Sequence, residues 1–103
     1  LSQRLNDPGI VEQARQVVTE LTAGPDAPPA VWYMRGVINE TAGDASTAEQ
    51  AYREALRRQP DLAAAQNNLA MLLAQRGADA DEALGLAQAA VGSEPENAAF
   101  LDT

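Results

Sequence analysis

Fifteen carboxylates and seven arginines carry all the side-chain charge in this 103-residue sequence, which has no lysine, histidine or cysteine. That inventory limits the available chemistry. Neither a serine–histidine pair nor a thiolate nucleophile can be assembled. The densest acidic group, Asp79, Asp81 and Glu82, invites a metal reading. It lacks the glycine and the ligand spacing of a calcium loop. Acidic side chains also favour helix amino-termini, so the preferred reading is a solvated turn with capping acids. Arg53, Arg57 and Arg58 form a small basic patch, but Glu49 and Glu54 lie at ion-pair spacing on the same helix. That pattern describes a solvated, self-neutralised face. Gly9, Gly43 and Gly77 lack the flanking strand and the Lys-Ser/Thr of a phosphate loop. The expectation is no catalytic residue, no metal site and no cofactor.

The net charge is −8. A chain this acidic is repelled by nucleic-acid phosphates and by anionic membrane surfaces, so neither is an expected partner. No apolar run approaches the roughly 20 residues that span a bilayer. Without cysteine there are no disulfides or thiolate metal sites, and the compartment stays undetermined. The sequence starts at Leu1 without a methionine, and a piece of a longer bacterial protein is expected. Apolar residues make up 46% but aromatics only 4%. A composition rich in alanine and poor in aromatics suits close-packed helices better than sheets.

What positions the polar residues is an internal repeat. Gly9, Gly43 and Gly77 fall 34 residues apart, as do Leu5, Asn39 and Leu73, and the small residues Ser2, Gly36 and Ala70. After Gly77 the register slips by one, so that Ala83, Ala90 and Pro95 follow Ala48, Ala55 and Pro60 at 35. One extra residue within 78–81 accounts for the slip, in a turn where insertions are tolerated.

Each unit reads as two helices. Val31, Met34, Val37 and Ile38 recur at helical spacing over 30–42, and Gly43 suits the left-handed residue that ends a helix. Asp44 or Ser46 can cap the next helix, Ser46 forming a capping box with Glu49. That helix stops near Gln59-Pro60. Asp61 is then expected to cap a helix running to about Arg76, and another spans about 81–92. In all, about five full helices are expected, with partial ones at both ends.

Here the residues resemble the tetratricopeptide repeat family, whose pattern is Trp-x2-Leu-Gly-x2-Tyr, then Ala-x3-Phe, then Pro. Trp32, Arg35, Gly36, Asn39, Ala48, Tyr52 and Pro60 stand at the matching spacings, with Arg35 replacing a leucine and Asn39 a tyrosine. The second unit carries Gln66, Leu69, Ala70, Leu73, Ala83, Ala87 and Pro95. The resemblance implies an all-α fold of antiparallel helical hairpins stacked into a right-handed superhelix. Residues 1–28 would form a partial repeat, 29–62 and 63–97 full repeats, and 98–103 the start of another. Gly36, Ala70, Ala48 and Ala83 would allow close helix approach, while Trp32 and Tyr52 fill the wider gaps. Arg35, at a leucine position, must find a carboxylate or carbonyls at the hairpin seam.

By the same resemblance the chain is a protein-interaction module that takes a peptide or protein on its concave side. The groove would show Tyr33, Met34, Val37, Glu40 and Thr41 from one repeat and Asn67, Asn68, Met71 and Gln75 from the next, extended by Gln3 and Asn6. Side-chain amides can hold a peptide backbone and methionines adapt to varied apolar groups. The competing reading is that Met34, Val37 and Met71 only pack the stack. A subclass that grips a carboxyl-terminal carboxylate is disfavoured: Asn68 matches one asparagine of that clamp, but Tyr33 and Val37 occupy its lysine and other asparagine positions. The alternative function is a spacer or self-assembly scaffold. Residues 95–103 look similar to bacterial members linked to exopolysaccharide export. Homo-oligomers through uncapped terminal repeats are also expected, because Leu84, Ala87 and Val91 at one end, and Val17, Val18 and Leu21 at the other, lack full cover.

Overall fold

A computed structural model describes residues 8–77 and 79–93. These form five helices: α1 (Pro8–Leu21), α2 (Pro29–Thr41), α3 (Ala45–Arg58), α4 (Ala63–Gln75) and α5 (Ala80–Ser93). There is no strand among the described residues. Helices α2 and α3 make one hairpin and α4 and α5 the next, with α1 packed on α2 and α3 packed on α4.

The turns follow from local chemistry. Gly43 (φ 86°) and Gly77 (φ 66°) take the left-handed conformation just past α2 and α4. At the first of these, Gly43 N–H donates to Glu40 and Asp44 N–H to Asn39, which satisfies carbonyls left over at the helix end. Asp44 then caps α3, its carboxylate accepting from Thr47 N–H (3.1 Å) and the Thr47 hydroxyl (2.8 Å). Of the two caps open in the sequence, the structure takes Asp44. Before α5, the Asp79 carboxylate accepts from Glu82 N–H at 3.1 Å, the capping role expected of that acidic turn.

Two expectations need correction. Asp61 does not cap α4: the N-cap is Leu62, with no side-chain bond. The turn is closed by Leu62 N–H donating to Gln59 instead. Gly9 lies not between helices but in the first turn of α1, so the glycine period marks a turn only at Gly43 and Gly77. The expected helix tail at residues 1–6 and the stub at 97–103 lie outside the described residues.

The core runs along the hairpins. Ala48, Tyr52, Leu69, Leu72 and Leu73 are buried together, with Val37, Leu56, Ala83 and Leu86 packed against them. Burying a leucine of this kind contributes about 1.5–3 kcal/mol. Tyr52 is fully buried because Gly36 leaves room for its ring against the α2 backbone.

The seam between α1 and α2 is made differently. Val18 and Ala27 are buried, so Val18 is better covered than expected. Around them the contacts are polar. Arg15 donates to the buried Asn39 (3.0 Å) and to Asp44 (3.2 Å), and Asn39 in turn donates to the Arg35 carbonyl. Among the described residues Arg35 finds neither a carboxylate nor a carbonyl. Its guanidinium donates to the Thr22 hydroxyl at 2.8 Å and lies 5.4 Å from the Trp32 ring centre. Arg58 approaches Trp32 at the same distance and donates to the carbonyls of Pro25 and Ala27, fixing the α1–α2 connection. Arginine and asparagine at the two departures from the family pattern are thus explained together: both hold α1.

Candidate functional site: the groove between the first helices of the hairpins

Side chains of α2 and α4 meet along one side of the stack. Tyr33, Asn67 and Asn68, with Ala63, Ala64, Ala90 and Val91, line an open cleft of about 360 Å³. The four aliphatic residues were not foreseen. The alanines carry no chemistry of their own, and their place on the cleft wall depends on how α4 and α5 pack.

A chain of hydrogen bonds links the groove to the core. Tyr52 hydroxyl donates to Glu40 Oε1 at 2.7 Å. Asn68 Nδ2 donates to the hydroxyl oxygens of both Tyr52 and Tyr33, each at 3.3 Å. The two rings stand 6.0 Å apart at 40°. Burial, and next the Glu40 carboxylate, push the Tyr52 hydroxyl well above its ordinary pKa. It therefore stays a proton donor to Glu40 throughout the physiological range. Having committed its proton, Tyr52 can only accept from Asn68. That fixes which end of the Asn68 amide faces inward: the NH₂ goes to the tyrosines, and the carbonyl oxygen accepts from no described protein group.

The other groove residues divide by environment. Met34 (46% exposed) and Met71 (53%) stand in solvent, and Asn67 Nδ2 lies 3.9 Å from the Met71 sulfur. Val37 packs on the core, so the stack-packing alternative describes it and not the two methionines. Thr41 returns its hydroxyl to the Val37 carbonyl, and Gln75 is exposed on the last turn of α4. Tyr33 is half-buried against the core. Gln3 and Asn6 lie outside the described residues. The Glu40–Tyr52 bond was missed in the sequence: Tyr52 read as gap-filling, and its 12-residue separation from Glu40 spans two helices.

The basic patch is internally engaged. Arg53 grips Glu82 through two bonds (2.7 and 3.0 Å) and also bonds Glu49, which in turn pairs with Arg76. Arg57 and Arg58 both bond Glu54. Of the carboxylates at 79, 81 and 82, Asp79 caps α5 and Glu82 takes part in this ion pair, and no group of three possible metal ligands gathers among the described residues. No described helix is long and apolar enough to cross a membrane.

These features define an all-α stack of helical hairpins with a polar groove along its first helices. The profile of the tetratricopeptide repeat family matches residues 9–63 and again 33–99, and the chain belongs to that family. It is also similar to a protein of Pseudomonas aeruginosa called "Probable biofilm formation methyltransferase WspC", with 36% identity over 74 residues. That match takes in 72% of this chain and only 18% of the relative.

Proposed function

We propose that this chain is a protein-binding module that holds an extended segment of its partner in the α2–α4 groove and performs no catalysis itself. Repeats 29–62 and 63–97 are the units that build the groove. The observation that carries the reading is the oriented Asn68 amide. Its NH₂ is committed to Tyr33 and Tyr52, which leaves its carbonyl oxygen for a peptide N–H, while the Tyr33 hydroxyl keeps a proton for a peptide carbonyl. One acceptor beside one donor is what an extended backbone presents in reverse. Exposed Met34 and Met71 add adaptable apolar contact at the same face. The methyl transfer in the relative's name is not extended to this chain. The alternative of an exopolysaccharide-export scaffold leans on residues 95–103, which lie outside the described residues.

Selection of a display library of short random peptides on the chain tests the proposal. Binders should shift the backbone resonances of Tyr33, Asn67 and Asn68, and Asn68→Ala should weaken them about tenfold, the worth of one well-placed hydrogen bond. Binders that map to α3 and α5, or that ignore Asn68→Ala, would remove the groove from the function.

A further inference from the structure

The described arginines share a feature that bears on what the groove can accept. Arg15 is bonded to Asn39 and Asp44, Arg35 to Thr22, Arg53 to Glu49 and Glu82, Arg57 and Arg58 to Glu54, and Arg76 to Glu49. Every one of them is engaged within the stack, and none lies among the groove residues. Glu40 does. No described arginine pairs with it, and its one described side-chain partner is the neutral Tyr52 hydroxyl. It is half-buried on α2, and Tyr52, the group that holds it, also accepts from Asn68. The carboxylate and the free amide oxygen are therefore two hydrogen bonds apart. A carboxylate that is half out of water with no described cation beside it favours a positive charge in the space next to it.

We infer that the partner segment is cationic: it places an arginine or lysine side chain on Glu40 while its backbone pairs with Asn68 and Tyr33. This rests on the peptide-binding reading of the groove and adds the charge of the occupant. The surplus of negative charge over the whole chain acts in the same direction. With a net charge of −8, the long-range field draws a basic segment in and turns an acidic one away. A second copy of the chain, equally acidic, is disfavoured as the occupant for the same reason. Glu40 supplies the local contact that decides where the charge sits.

Three synthetic peptide pools, identical except for arginine, leucine or glutamate at one fixed position, provide the test, with binding to the full chain measured at low and high salt. The arginine pool should bind best, and its advantage should shrink as salt rises. Glu40→Gln, which keeps an acceptor for Tyr52 but drops the charge, should lower arginine-pool affinity about tenfold and leave the leucine pool unchanged. Equal binding of the three pools with resonance shifts still at Tyr33 and Asn68 would overturn the charge inference and leave the groove reading standing. Preference for the glutamate pool, or self-association through the same residues, would overturn it too. No binding by any pool at those residues would defeat both readings together. A circular-dichroism melt of Glu40→Gln matching the parent chain separates lost binding from lost fold.

Discussion

Gly36 and Tyr52 occupy one space. A Cβ built on Gly36 would lie 2.9 Å from Cζ of the Tyr52 ring and closer still to its Cδ1 and Cε1. The ring is wholly buried, so it has nowhere to retreat. Gly36→Ala should therefore destabilise by about 1–3 kcal/mol, the usual penalty of overpacking a tight contact. Urea unfolding measures it, and an unmoved midpoint would mean α2 and α3 are not packed this closely.

Glycines 24 and 43 should respond to alanine with opposite signs. A Cβ meets nothing within 4 Å at either position, so only the backbone decides. Gly43 sits at φ 86°, and alanine there should cost about 1–2 kcal/mol. Gly24 has no such φ, and Gly24→Ala should stabilise by about 0.4–1 kcal/mol through the unfolded chain. Thermal melts of the two variants settle it, and a shift in the same direction would refute the contrast.

Arg58 ties the α1–α2 connection to α3 through two backbone carbonyls and the Trp32 face. Arg58→Ala should lower stability by about 1–3 kcal/mol, since hydrogen bonds from a charged donor are the stronger ones. The loss should be local. Amide exchange should quicken in residues 22–28 and α1 and stay unchanged in α4. Uniform quickening would show that the seam is not a separable unit.

Acid should loosen the stack in a defined window. Arg57, and after it Arg58, hold Glu54 at about 2, down from its ordinary 4.5. The Thr47 hydroxyl and N–H lower Asp44, and Arg53 lowers Glu82. The unfolded chain therefore binds more protons than the folded one between these limits. The contribution is complete above about 4.5 and disappears as the pH falls toward 2. Melting temperature should fall across that range, and Glu54→Gln should flatten part of the fall. A melting temperature constant down to pH 2 would contradict the ion pairing.

What was legible in the sequence is what local chemistry and a repeating period encode. The 34-residue spacing located the hairpins, and a small residue at Gly36 followed from the need for a close helix approach, although Tyr52, whose ring it admits, read as a filler of wider gaps. Two acids, Asp44 and Asp79, advertised their capping roles because a cap is set within three residues. Asp61 had the same local credentials and failed, because the turn before α4 closes through backbone bonds. Arg35 was misassigned for a different reason. Its partners, Thr22 and Trp32, depend on how α1 meets α2, and a carboxylate or carbonyls were the generic expectation for a cation without a map of the seam. The groove residues were placed by helical phase, yet phase cannot tell a valine that faces the core from a methionine three residues before it that faces solvent.

Trp32 is the single tryptophan; the guanidinium groups of Arg35 and Arg58 each lie 5.4 Å from its ring centre, and its N–H is shut away from water. The chain thus contains one indole, whose emission can be excited selectively over that of the tyrosines, placed at the joint where α1 meets the first hairpin. Its emission reports the opening of that joint and is silent about α5 at the other end. A repeat stack held by neighbour contacts can unzip from either end. If it opens from the carboxyl side, ellipticity will drop before the indole emission shifts, and if from the amino side, the order will reverse. Two simple optical traces on the unlabelled protein are then enough to say which end gives way first.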